Sequence, residues 1–275
     1  KAYDHASHRF GRAKCESAQV RWDWENDGTW DTGYSTTKTA THQYPVAGTF
    51  TVNMEVRDSG SLTSSLTEQI VVTMASDGTV IDIDGNVYQT IIIGGQEWMA
   101  ENLKVTHYRN GEIIPQLEDN NDWGSTISDS YCAYNNVESN VEIYGRLYNW
   151  YAVIDNKNIA PEGWHVPSDT EWQTLIDAFG GDNYAGGEMK EVGTAHWSTP
   201  NTGATNGSGF TGLPGGQRWE DGSDFYYMTE RSYYWSTSEY AGTQAWSRGL
   251  RFNSVETIRY PYYKGKGFSV RCVKD

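Results

Sequence analysis

The chain is short of positive charge, of long apolar runs, of cysteine and of helical periodicity, and each shortage closes off something. Its 21 Lys and Arg stand against 36 Asp and Glu, a net charge of −15 with a pI of about 4.8. Such a surface repels nucleic-acid phosphates and anionic lipid, so no partner of either kind is expected. It leaves carboxylates free to hold cations. No apolar run approaches the roughly 18 residues of a membrane-spanning helix, so no membrane span is expected, and no signal peptide is recognisable. Because it begins at Lys1 rather than Met, the chain reads as a processed or excised segment.

Three cysteines are an odd count. Cys132 lies in DSYCAYNN and Cys272 in FSVRCVKD, near the end of the chain. A disulfide between them is expected, tying the C-terminal strand back into its domain; closing so long a loop stabilises by about 4 kcal/mol on the chain-entropy model. The alternative is a pair of buried free thiols. Cys15 is left over, to be free, to pair between chains, or to lack a partner lying in sequence beyond this segment.

What is abundant sets the class. The 29 Gly, 19 Tyr and 12 Trp, with a mean hydropathy of −0.68, describe a mainly β protein rich in turns and aromatics, and 275 residues suffice for one large or two ordinary domains. Helical spacing is rare. In GWHVPSDTEWQTLIDAFGG, the residues Trp172, Leu175, Ile176 and Phe179 recur at three and four. Ser168 is the expected N-cap, Glu171 completes a capping box, and Gly180-Gly181 supplies the stop. YGRLYNWYAV, 144–153, reads as a second helix.

Residues 1–75 are expected to form a β-sandwich module. Short alternating runs from Val20 to Trp24, Thr49 to Val56 and Leu66 to Thr73 are punctuated by turn signals. VRWDWENDGTWDT followed by HQYPVAGTFTVNMEVRDSGS resembles the polycystic-kidney-disease (PKD) type of immunoglobulin-like domain over residues 18–74. That family has one or two strands before the tryptophan strand, whereas residues 1–18 show no alternation. The sandwich is therefore either truncated or completed at its edge by another segment or chain.

Asp23, Glu25, Asp27 and Asp31 stand at positions 1, 3, 5 and 9 of a loop with Gly28 at 6, the front half of an EF-hand-like calcium loop. Position 12 is Tyr34, so a bound calcium ion would draw on a distant carboxylate or water. The competing reading is a hairpin turn of solvated acids over core tryptophans. Residues 76–86, SDGTVIDIDGN, form a linker and hairpin turn.

The blocks DIDGNVYQTIIIGGQEWMAENLK, YGRLYNWYAV, PEGWHVPSDTEWQTL, GFTGLPGGQR, YYWSTSE and GFSVRCVKD, in this order over 80–275, resemble the Fibrobacter succinogenes major paralogous domain. The resemblance implies a C-type-lectin-like α+β fold related to formylglycine-generating enzymes, with two helices, a small twisted sheet and long loops, on secreted or surface proteins of Bacteroidetes and Fibrobacteres. RSYYWSTSE, AWSRGLRF and GFSVRCV are expected to pair as a sheet, with Trp235, Trp246, Leu250, Phe252, Phe268 and Val270 inward. A formylglycine-generating activity needs a reactive cysteine pair, and only Cys272 lies in the matching part. The EPN, QPD and WND signatures of calcium-dependent lectins are missing.

His107, His165 and His196 are the available histidines, but Ser168 is more economically a helix cap than a nucleophile, and Glu97/Glu101 or Glu220/Asp221 have no distinctive spacing. No enzymatic activity is expected. Trp219, Tyr226, Tyr227, Tyr260, Tyr262 and Tyr263 are expected in Gly/Asp-rich or Pro-flanked loops, where exposed rings stack on sugars or anchor protein partners. The expectation is a secreted or cell-surface adhesion protein that binds a glycan or protein ligand through these aromatics. Its alternative is a self-assembling extracellular filament or stalk subunit that adds strands at the N-terminal module.

Overall fold

A computed structural model describes residues 18–40, 42, 48–72 and 74–275. The chain divides into two compact units, Lys1–Ala75 and Ser76–Asp275. Strand outweighs helix, 36% against 14%. Among the described residues no helix is long and apolar enough to cross a membrane.

In the first unit, β1 (Gln19–Asp23), β2 (Gly48–Arg57) and β3 (Thr63–Val72) form an antiparallel sheet in that order. Alternation puts Val20, Trp22, Val52, Met54 and Ile70 into one core cluster with Trp24. The other edge of β1 receives the returning chain, where Val20 and Ser35 exchange both backbone hydrogen bonds at 2.8 Å. Cys15 and most of the HQYPVAG block lie outside the described residues, as does the question of a strand before β1.

The second unit opens on β4 (Met74–Ile81), β5 (Val87–Ile93) and β6 (Gln96–Met99). Asp82 builds the first turn. Its carboxylate accepts from the backbone N–H of Asp84 and Asn86 and from the Tyr88 hydroxyl at 2.6 Å. Gly94 and Gly95 make the second turn at φ of 58° and 81°, values that residues with a Cβ resist. Then come α1 (Asn120–Ser125), β7 (Tyr131–Cys132), α2 (Ser139–Tyr144), β8 (Leu147–Tyr148), α3 (Trp150–Val153), β9 (Trp164–His165), α4 (Asp169–Asp177), α5 (Ala185–Met189), β10 (Gly215–Arg218), β11 (Phe225–Met228), β12 (Arg231–Ala241), β13 (Gln244–Arg251), β14 (Ile258–Tyr263) and β15 (Val273–Lys274).

The helix expected at 168–179 is present as α4. Ser168 Oγ accepts from the Glu171 N–H, and Glu171 returns a bond to the Ser168 N–H at 2.7 Å. The helix expected over 144–153 is a correction. Gly145 breaks it at φ 72°, where a Cβ would lie 2.6 Å from Asn102 Cβ, and Leu147–Tyr148 pairs instead with Tyr131–Cys132. Asn149 then caps the short α3 through the Ala152 N–H.

A second correction concerns the cysteines. Cys132 and Cys272 are free and buried in different core clusters, Cys132 with Trp123, Tyr134 and Leu147, Cys272 with Tyr88, Met99 and Val270. The tail is held by backbone instead. β15 inserts between β6 and β9, with Val273 opposite both Trp98 and His165. The buried Arg271 fastens the strand before it, donating to Asn102 Oδ1 and to the carbonyls of Phe210 and Thr211.

The third strand of the expected C-terminal sheet is also different. β12, β13 and β14 pair in order, so IRYPYY is the third strand, while GFSVRCV meets β12 through a single parallel bridge between Ser269 and Tyr234 before passing on into β15. Pro261 is tolerated because β14 is an edge strand that needs no second partner. The two faces of this sheet feed separate cores, Tyr233, Trp235 and Ala245 in one, and Tyr234 and Leu250 with Trp172 and Ile176 of α4 in the other. Phe268 and Val270 are buried as expected, whereas Trp246 and Phe252 are half-buried.

Candidate ligand-binding surface

The second unit's candidate site grows from a strand of small residues. On β13, Ala245, Ser247 and Gly249 share a face, alternating with Trp246, Arg248 and Leu250. A Cβ on Gly249 would lie 2.7 Å from the Ser232 carbonyl and 3.4 Å from the Tyr233 ring. The rings of the flanking strands therefore meet across β13. Tyr233 of β12 and Tyr262 of β14 lie 5.6 Å apart, edge to face, and Tyr262 lies 5.0 Å from Tyr260.

The row continues onto the β10–β11 ribbon. Tyr227 lies 6.4 Å from Tyr233, Tyr226 6.0 Å from Tyr227, and Trp219 5.4 Å from Tyr226. Five of the six aromatics singled out in the sequence thus join one continuous row through a residue that was not, the buried Tyr233, and the expected loops are a correction, since all but Trp219 lie on the strands β11 and β14. Tyr226 and Tyr260 are 39% and 54% exposed, and Trp219, Tyr227 and Tyr262 are half-buried. Tyr233 is the buried link, and the other five rings are each partly exposed, Tyr227 and Tyr262 packing against the core. Tyr263 is the exception: the two-residue period of β14 turns it to the opposite face, with Arg259 and Pro261.

The ribbon's backbone is unusual where the row crosses it. Gly216 and Tyr227 sit between the paired positions Gly215–Met228 and Gln217–Tyr226, with φ of 65° and 66°. A bulky residue in the left-handed region costs of order 1–3 kcal/mol and collects at sites where geometry serves function. Lys266 supports the Trp219 end. It is buried, with Nζ 3.2 Å from the Trp219 ring centroid and 2.7 Å from Glu220 Oε2. Burial lowers its pKa, against the opposing pull of Glu220.

Two arginines flank the middle of the row. Arg231 and Arg251 are directly opposite in the β12–β13 register, so their side chains leave the same face as Tyr233. Arg231 stacks 4.2 Å over Tyr227 and donates to the Tyr233 hydroxyl at 3.1 Å. Burial raises the Tyr262 hydroxyl well above its ordinary range, while both guanidinium groups act to lower it. These arginines and Tyr233 escaped the sequence reading because strand register, which brings them together, is not written in either strand alone. The alternation of RSYYW was the available signal.

The expected calcium residues separate into three and one. Ligand oxygens of Asp23, Glu25 and Asp31 lie within 4.8 Å of one another. Asp27 is turned away to accept from the Thr29 N–H at 2.7 Å. Asp23 is buried, accepting from the N–H groups of Asp27 and Gly28, and Asp31 Oδ2 accepts from that of Trp24. Glu25 pairs with His42 at 3.3 Å.

The remaining candidates are engaged locally. His165 places Nε2 2.7 Å from Glu171 and Nδ1 2.7 Å from Asp275, so both nitrogens face carboxylates rather than Ser168 Oγ, which bonds Glu171. His107 faces Asp84 and His196 faces Glu191. Glu97 pairs with Lys274. An open cleft of about 370 Å³ lies between Asn86, Lys104, Glu138 and Arg146, and there Glu138 neutralises Arg146.

Comparison with known proteins gives two family matches. The model described as the Fibrobacter succinogenes major domain matches residues 91–274, and that of the PKD domain matches residues 10–71. No curated protein and no solved structure matches.

Proposed function

We infer that this chain, which belongs to the Fibrobacter succinogenes major domain family and carries a PKD domain ahead of that domain, is a secreted or cell-surface, non-enzymatic adhesion protein. On this reading the second unit is a C-type-lectin-like scaffold, and its ligand is a glycan laid along the row from Trp219 to Tyr260. One observation carries it: rings from three separate strands and a loop end converge on a single row in which every ring but Tyr233 is partly exposed. The tyrosine held at φ 66° within the row adds to it, since strained backbone collects at functional sites.

A glycan array probed with the whole protein tests the proposal. Binding that falls roughly tenfold in Trp219→Ala or Tyr260→Ala supports it, the scale of losing one aromatic anchor. An array with no signal removes it. A calcium ion on Asp23, Glu25 and Asp31, in the weak range of extracellular modules at roughly 10⁻⁴–10⁻³ M, belongs to the same reading. Its support is the convergence of three ligand oxygens, and its check is a rise in Tm with millimolar calcium that Asp31→Asn abolishes. Glycan binding that survives EDTA is expected, because no acid of that trio is in the aromatic row.

One observation favours a second reading, self-assembly. Residues Thr63 to Gln69 of β3 are all exposed, and among the described residues no strand pairs with its outer edge. Such an edge accepts an added strand. Light scattering after size-exclusion chromatography tests this: a monomer at every concentration sinks it.

A further inference from the structure

We propose that Arg231 and Arg251 form an anion-binding subsite within the aromatic row, so that the glycan it takes is an acidic one, bearing carboxylate or sulfate groups. This rests on the glycan reading above and narrows it. Like charges directly opposite across antiparallel strands destabilise a sheet unless something neutralises them. Among the described residues no carboxylate does so here. Among the described residues, Arg231 has only the Tyr233 hydroxyl and the Tyr227 ring as partners. Among the same residues Arg251 makes no ion pair and no side-chain hydrogen bond, and its Nε is buried without a partner.

Other buried cations are either held by oxygens of the fold, as Arg271 and Lys190 are, or neutralised by an acid. Arg248, three residues before Arg251 and on the other face of β13, is neutralised by Asp169 and Asp182, Arg146 by Glu138, and Arg259 by Asp169. Lys266, at the end of the same row, has Glu220. In a chain of net charge −15, carboxylates are plentiful, and yet among the described residues none is set against the Arg231–Arg251 pair. The overall negative charge does not forbid an acidic ligand, because exposed charges beyond a Debye length of about 8–10 Å are screened. What a bound anion meets is the local pair, and the planar guanidinium fork matches a carboxylate or sulfate oxygen pair. Beside it Tyr227 and Tyr262 offer ring edges for the sugar that carries the anion.

Affinity electrophoresis and calorimetry of the whole protein with three polymers test the proposal: polygalacturonate for carboxylate, dextran sulfate for sulfate, and dextran as the neutral control. Wild-type protein is expected to bind one of the acidic polymers more tightly than dextran. Arg251→Gln should weaken that binding about tenfold or more, the scale of losing a charged hydrogen bond, and leave any dextran binding unchanged. Because the substitution removes one of two like charges opposite each other in the strand register, the variant's Tm without ligand should equal or exceed that of wild type. A lower Tm would assign Arg251 a structural role instead. Dextran bound as well as either acidic polymer, with Arg251→Gln silent, overturns the anion subsite and leaves the aromatic platform standing. Acidic binding lost in Arg251→Gln but unaffected by Trp219→Ala and Tyr260→Ala overturns the platform and keeps the subsite. No binding to any polymer overturns both.

Discussion

His165 stands between Glu171 and Asp275, and the balance of forces on its ring sets a pH dependence. Burial acts to lower its pKa, but the hydrogen bonds to Asp275 and Glu171 outweigh burial and hold it above the ordinary value. Glu171 is shifted the other way: burial would raise it, yet the Ser168 and His165 contacts hold it low. A raised folded-state pKa means that the imidazolium contributes stability fully below the unfolded value of about 6.5, and that the contribution is lost as pH rises through the folded value. The depressed Glu171 contributes above its unfolded value and is lost as pH falls. The Tm advantage of wild type over His165→Gln should therefore be largest near pH 5.5 to 6, roughly, and shrink toward pH 8. A difference that is flat across that range would show that the pair does not hold the capping box. Lys190 is a second residue-scale test. Its buried Nζ donates to the carbonyls of Thr202, Arg251 and Ser254 at 2.8–2.9 Å, with burial pushing its pKa down to about 8. Lys190→Met strands three carbonyls and should cost about 2–4 kcal/mol in urea unfolding.

Helix α4 shows when an element can be read from sequence. Its start is fixed by a hydrogen-bonded pair three residues apart and its end by two glycines at φ 83° and 88°, all local signals. Ser168→Ala should cost about 1 kcal/mol, measured by chemical denaturation, with Glu171 losing its hydroxyl partner as well. The stretch 144–153 failed for the opposite reason. Its spacing is helical, but Gly145 is fixed by close approach to Asn102 and Leu103, far away in sequence. β14 was hidden by Pro261, which reads as a loop signal until the strand is known to lie at an edge. The aromatic row was half legible. Its residues stood out by type and setting, while their convergence depends on Gly249 and Gly216 letting neighbouring chains approach. At Gly216 a Cβ would lie 2.5 Å from the Tyr226 carbonyl and 2.6 Å from the Tyr134 ring. Gly216→Ala should destabilise by about 1–3 kcal/mol from its left-handed backbone alone, and should weaken ligand binding by displacing Tyr226 and Tyr227. Retention of both stability and binding would show that the ribbon does not position the row.

At the scale of the whole chain, the sequence suggested that the end was fastened to the middle, and it is, although the fastening differs in kind. Cysteine type and position made a covalent tie the obvious device. Burial instead isolates each thiol, and it pushes the Cys132 thiol up to about 12. The mechanical work falls to β15, which sits between β6 and β9 and closes a sheet whose strands come from both ends of the second unit. Asp275 N–H donates to the Gly163 carbonyl, and Met99 and Leu103 donate to the carbonyls of Cys272 and Val270. These bonds lie at the meeting point of β6 with the cores beneath Trp98 and Met99, both fully buried. The two fastenings respond differently to chemistry. A disulfide would lose about 4 kcal/mol of unfolding free energy on reduction, by the chain-entropy model. A strand inserted by hydrogen bonds is indifferent to reductant but sensitive to truncation. The unfolding midpoint of the second unit should therefore be unchanged by dithiothreitol, and thiols at 132 and 272 should resist alkylation until denaturant is added. Deleting residues 273–275 should lower the midpoint, because Val273 leaves a buried gap and two strands lose their shared neighbour. A drop on reduction traced to loss of a Cys132–Cys272 cross-link by peptide mapping would reverse this assignment and return the fastening to sulfur.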